Sequence, residues 1–157
     1  MKPKVYIETS TISYLIARPS RDLVIAANQQ VTREWWNMRR ALFDLYISQV
    51  VIDEANAGDQ EAAQQRLEAM QGILLLELKT EALDLASEFI RSKALPKKAS
   101  QDALHIAIAA VYGLDYLLTW NCKHIANAVI QKSIARIVAE QGYELPTICT
   151  PHELLGE

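Results

Sequence analysis

The chain has only two cysteines, Cys122 and Cys149, so one bridge is the most it can form and no disulfide framework holds it together. No apolar stretch approaches the ~18 residues that a membrane span needs. The N-terminus lacks the apolar segment and small-residue cleavage site of a secretory signal. A cytoplasmic protein with reduced thiols is the expectation. Gly-rich phosphate loops are also missing, and "GDQEAAQQ" reads instead as a helix start capped by Asp59. No serine stands in a G-x-S-x-G elbow, which removes support for a serine hydrolase. Positive charge is not in excess either. A net charge of −3 and a pI near 5.6 argue against nucleic-acid binding through overall charge. They leave room for a nuclease, whose cation-holding acids would themselves lower the count. Arg33, Arg39 and Arg40 group locally, as do Lys97 and Lys98, and both groups read as solvated faces. Cys122 and His124 lack the second ligand pair that a zinc site needs.

What is present is the make-up of one ordinary folded domain over residues 1–157, half hydrophobic and 22% charged. Short β-rich runs alternate with longer helical ones, which implies a parallel sheet with helices on its faces. Strands are predicted at Lys4–Ile7, Tyr46–Ser48, Leu74–Leu78, Tyr116–Thr119 and Thr147–Cys149. Helices are predicted over Asp22–Asp44, Glu61–Met70, Thr80–Ala94 with Thr80 as cap, and Ser100–Gly113 with Ser100 as cap. A further one is predicted over Asn121–Gly142 with Asn121 as cap. The neighbouring Trp35 and Trp36 cannot share one helix face, so one of them should meet another element or a second subunit.

Four polar positions break the local pattern. Glu8 ends the apolar strand "KVYI", Glu54 follows the apolar run "QVVI", Asp102 opens a helix that is apolar nearly all round, and Asn121 ends "YLLTW". In a parallel α/β sheet the carboxyl ends of the strands and the N-termini of the following helices share one edge. The four residues are therefore expected in one cleft. Three carboxylates and an amide would repel there unless a cation joined them, and oxygen donors suit Mg²⁺ or Mn²⁺. Each position also has an ordinary structural explanation. Glu8 with Thr9 and Ser10 fits capping chemistry, Glu54 beside Asp53 fits an exposed acidic turn, Asp102 gains from the helix dipole, and Asn121 fits an N-cap. His105 should face the same way as Asp102, as a hydrogen-bonded core histidine.

With these residues in view, the chain resembles the PIN-domain family, the fold of the VapC-type toxin ribonucleases. "VYIETSTISYL" is similar to the family's opening strand, acid and hydroxyl. "SQVVIDEA" resembles the second block, with a serine six positions before Glu54. "DALHIAIA" resembles the third, and "YLLTWNCKHI" the last, a strand ending in Thr-x-acid. Two positions depart from the pattern: Glu8 stands where the family has Asp, and Asn121 where it often has an acid.

The resemblance implies a three-layer α/β/α fold around a parallel sheet of four or five strands. It implies a metal-dependent endoribonuclease, a hydrolase of phosphodiester bonds, with Glu8, Glu54, Asp102 and Asn121 as catalytic residues. The first three would hold Mg²⁺ or Mn²⁺, with Asn121 a neutral ligand or a holder of water. Thr9 and Thr119 would position water or orient a carboxylate. It further implies an RNA substrate, a homodimer, and a role as the toxin of a pair with an antitoxin-like protein. The two departures favour an alternative, a non-catalytic PIN-fold module that binds RNA or a protein partner. On donor charge alone, Asn121→Asp is expected to tighten cation binding.

Overall fold

A computed structural model describes residues 1–156. Five strands form one parallel sheet: β1 (Lys4–Ile7), β2 (Asp44–Ser48), β3 (Leu74–Leu76), β4 (Tyr116–Leu118) and β5 (Thr147–Cys149). Their order is β3-β2-β1-β4-β5. Seven helices cover the sheet in a three-layer α/β/α arrangement: α1 (Thr9–Ile16), α2 (Leu23–Met38), α3 (Gln49–Ala55), α4 (Gln60–Ala69), α5 (Thr80–Arg91), α6 (Ser100–Val111) and α7 (Ala128–Glu140). Helix α1 packs on α2, α3 and α4, while α5 packs on α6 and α7. Covered on both faces, the central strands read as unbroken apolar runs, and Val5, Tyr6, Ile7, Leu117 and Leu118 are fully buried. Among the described residues no helix is long and apolar enough to cross a membrane.

The chain leaves β1 for β2 on one side and later returns to place β4 on the other. The crevice outside the carboxyl ends of β1 and β4 is therefore the topological switch point, where open α/β sheets take ligands. Register fixes which residues meet there. Ile7 pairs with Leu118, and the Glu8 N–H donates to the Leu118 carbonyl at 3.1 Å. Glu8 and Thr119, next along each strand, consequently emerge side by side.

Several boundaries differ from expectation, each for a local reason. Strand β2 begins at Asp44 because Lys4 of β1 already pairs there, so α2 ends at Met38 and a short 3-10 turn, Arg40–Leu42, follows. Strand β3 stops at Leu76 because its partner Ser48 is the last residue before α3. Thr80 and Ser100 are not caps but the first residues of their helices, preceded by Lys79 and Ala99. The Ser100 hydroxyl donates backwards to the Lys97 carbonyl at 2.6 Å. Helix α5 ends early at Arg91, where Lys93 takes a left-handed φ of 65° and Leu95 N–H reaches back to Phe89 O. Asn121 is not the cap of α7. Asn127 is, accepting from Val129 N–H at 2.9 Å, so the cap of α7 lies six residues later than expected. Asp59 caps α4 as expected, through Ala62 N–H. Trp35 is fully buried against Phe43, and Trp36 lies half-buried under the Arg40 guanidinium, 4.1 Å above its ring.

Candidate active site

Glu8 is the residue between β1 and α1, with extended backbone (φ −79°, ψ 152°) and a side chain that makes no capping bond to its own helix. It is only 4% exposed. Its Oε1 accepts from the Thr119 hydroxyl at 2.5 Å and from the Ser10 hydroxyl. Ser10 in turn accepts from Trp120 N–H at 2.8 Å, and Thr119 from Asn121 N–H at 2.9 Å. The hydroxyls thus lock the end of β1 to the end of β4 around one carboxylate oxygen. Capping of α1 does not explain Glu8.

Glu54 sits near the end of α3, half-buried, and is held from two sides. Thr9 donates to its Oε1 at 2.6 Å, and His105 Nε2 approaches the same oxygen at 2.6 Å. A carboxylate only accepts, so Nε2 carries the proton. The other ring nitrogen, Nδ1, meets the Tyr6 hydroxyl at 2.7 Å, and Tyr6 meets Ser48 at 2.7 Å. Tyr6, Ser48 and His105 are all fully buried. A polar chain therefore runs through the core from Ser48 to Glu54, satisfied at every link.

Asp102 lies in the first turn of α6, where the helix dipole favours its charge by about 0.3–1 kcal/mol. Its Oδ1 accepts from Asn121 Nδ2 at 3.0 Å and its Oδ2 from His124 Nδ1 at 3.0 Å. The structure thus gathers all four expected residues, with Thr9 and Thr119 bonded to Glu54 and Glu8, into one hydrogen-bonded rim at the switch point. They are not equivalent within it. Ligand atoms of Glu8, Glu54 and His105 lie within 4.8 Å of one another, whereas Asp102 stands outside that trio beside Asn121 and His124.

The electrostatics follow from this packing. Burial would raise the Glu54 carboxyl, but the hydrogen bond and charge of His105, with the Thr9 hydroxyl, outweigh it and hold Glu54 below its ordinary 4.5. Burial would lower His105, but the Glu54 hydrogen bond and the charges of Glu8, Glu54 and Asp102 raise it above 6.5. Burial, with Glu8 and Glu54 nearby, pushes the Tyr6 phenol far upward, so it stays protonated. The depressed Glu54 contributes stability above pH 4.5 that is lost as pH falls through its folded value. The raised His105 contributes stability below pH 6.5 that is lost as pH rises through its folded value. The stability difference between wild type and His105→Gln, measured by urea unfolding across pH, should therefore be largest between pH 4.5 and 6.5.

A divalent cation fits this donor set. The hydrogen bonds of Glu8 and Glu54 all go to Oε1. Each Oε2 makes no hydrogen bond to the protein and is not among the wholly enclosed unpaired atoms, which among the described residues are Trp35 Nε1 and Arg39 Nε. Protonated at Nε2 toward Glu54, His105 orients that carboxylate rather than offering a ligand.

Sequence reasoning placed His105 in the core but missed its bond to Glu54. The signal was Tyr6, a buried phenol in a central strand that needs a partner. It also missed Ser10 and the Asp102–His124 contact. Of the Cys122 and His124 pair, Cys122 is exposed while His124 is engaged by Asp102.

No protein-family model matches the chain, and no curated protein matches it. Solved structures do. It is similar to VapC20 of Mycobacterium tuberculosis, a sarcin-ricin loop cleaving toxin, with a TM-score of 0.60 and 13% identity, over 76% of this chain and 92% of that one. It is also similar to VapBC2 from Rickettsia felis, bound to a DNA fragment from its promoter. That match has a TM-score of 0.56 and 15% identity, over 94% of this chain and 98% of the other. At these identities the likeness is one of fold, and the fold is the PIN-domain, VapC-like one.

Proposed function

We propose that the protein is a metal-dependent endoribonuclease of PIN type, the toxin of a toxin–antitoxin pair, acting in the cytoplasm as a homodimer. The observation that carries this reading is the pair of carboxylates Glu8 and Glu54, anchored by Oε1 and without a protein partner at Oε2, with Asp102 on the same rim. Three carboxylates on one rim supply the negative charge that a divalent ion balances. Oxygen donors select Mg²⁺ or Mn²⁺. Such an ion supplies Lewis acidity toward water and the scissile phosphodiester, so no protein nucleophile is needed. Within the site, Glu8 and Glu54 bind, and Asp102 closes the cleft from the α6 side. Thr119 and Ser10 fix the Glu8 rotamer, while Thr9 and His105 fix that of Glu54. Asn121 keeps Asp102 in place. The toxin role rests on the fold shared with VapC20 and VapBC2.

One observation favours a second reading, a non-catalytic PIN-fold module that binds RNA or a protein. Both oxygens of Asp102 and both ends of the Asn121 amide already have protein partners. Purified protein incubated with structured and single-stranded RNA and DNA, under Mn²⁺, Mg²⁺ or EDTA, separates the two. Cleavage of RNA that EDTA stops is the expected result. Intact RNA under both metals would overturn the nuclease reading, and cleavage of DNA alone would change the substrate class.

A further inference from the structure

We infer that His124 and Asn121 together form a clamp that positions Asp102, and that the clamp stands in place of a fourth acid. The inference rests on the cation-binding reading for its functional consequence, but not for its geometry. Asn121 uses both ends of its amide: Nδ2 donates to Asp102 Oδ1 at 3.0 Å, and Oδ1 accepts from the His124 backbone N–H at 3.0 Å. His124 then closes the ring by donating Nδ1–H to Asp102 Oδ2 at 3.0 Å. The carboxylate only accepts, so this contact sets the tautomer of the imidazole. Each Asp102 oxygen therefore receives one N–H and keeps a lone pair for another partner.

The loop that presents His124 is built, not slack. Ala126 N–H bonds the Asn121 carbonyl at 2.8 Å, and Ile125, beside His124, is fully buried in the core. The Asn121 backbone N–H is tied to the Thr119 hydroxyl, which holds Glu8. The clamp thus shares a frame with the other acids, and a shift of the loop would move Asp102 relative to Glu8. His124 is paired to Asp102 much as His105 is paired to Glu54, so each of these acids is oriented by its own histidine.

This accounts for an amide at position 121. Aspartate there could still accept from His124 N–H, but it has no proton for Asp102 Oδ1 and would set two carboxylates about 3 Å apart. In the metal-free protein Asn121→Asp should therefore release Asp102 from the clamp, while a bound Mn²⁺ would still draw on the added donor charge.

The test compares His124→Ala with His124→Asn, whose Nδ2 can reproduce the Nδ1–H donor. Two readouts are taken on the full chain: calorimetric titration with Mn²⁺, and the Asp102 rotamer in metal-free crystals. The clamp requires that His124→Ala lower Mn²⁺ affinity about tenfold or more, that His124→Asn restore it to within about threefold, and that Asp102 leave its rotamer only in the alanine variant. Equal loss in both variants, with Asp102 unmoved, would overturn the clamp and give the imidazole ring itself a different role. Wild-type affinity in both would overturn it as well. Should wild type bind no Mn²⁺ at all, the cation reading fails, and the metal-free crystals still decide the clamp.

Discussion

Asp102→Asn should reduce metal-dependent RNA cleavage by at least about 100-fold, a loss of roughly 3 kcal/mol in transition-state stabilisation, while the fold survives. The substitution keeps volume and removes charge. Asparagine Oδ1 can still accept from Asn121 Nδ2, and its own N–H₂ can donate to His124 once that ring takes its other tautomer. Without a cation, the three carboxylates at the switch point repel one another. The metal-free variant should therefore melt at or above the wild-type temperature. Cleavage near the wild-type rate would reduce Asp102 to a residue that serves the start of α6.

His105→Leu should have the largest effect on stability. The ring is fully buried and bonded at both nitrogens, so its loss leaves the Tyr6 hydroxyl and Glu54 each short of a partner. Removing one member of a buried network costs about 1–3 kcal/mol for each group left unsatisfied. A total of about 3 kcal/mol corresponds to roughly 6–12 °C in a domain of this size. Leucine is close in volume, which limits any cavity contribution. Because Tyr6 and His105 form one chain, Tyr6→Phe with His105→Leu should cost less than the sum of the two, and a double-mutant cycle by urea unfolding measures the coupling. Additive losses would mean that the two side chains act separately.

Much of the fold was legible before the structure, and the reasons are specific. Strands β1 and β5 match their predicted spans because short β-branched and aromatic runs bounded by polar residues have few alternatives. The chain-order alternation of strands and helices was sufficient for the parallel α/β/α architecture. Cap choice was less legible, because two asparagines, at 121 and 127, both suit the role. The nearer one was taken by Asp102 and His124, a tertiary demand that no local pattern reveals. The expected acids were readable as exceptions to local rules. Their supports were not, since Ser10, His105 and His124 are ordinary residues until the register of β1 against β4 brings them together.

Glu8 is the departure whose surroundings are most fully defined. Its extra methylene, relative to the aspartate of the resembled pattern, extends the carboxylate by about 1.5 Å. In this chain the Glu8 carboxylate accepts from Thr119 across the switch point, with Ser10 completing the pair of donors.

If Glu8, Glu54 and Asp102 hold a divalent cation at the carboxyl edge of the sheet, anomalous diffraction from crystals soaked in Mn²⁺ should locate it. One peak is expected between Glu8 and Glu54, about 2.1 Å from an oxygen of each, with Asp102 on the same ion directly or through one water. An empty cleft at saturating Mn²⁺, or a peak confined to other side chains, would contradict the cation-binding reading.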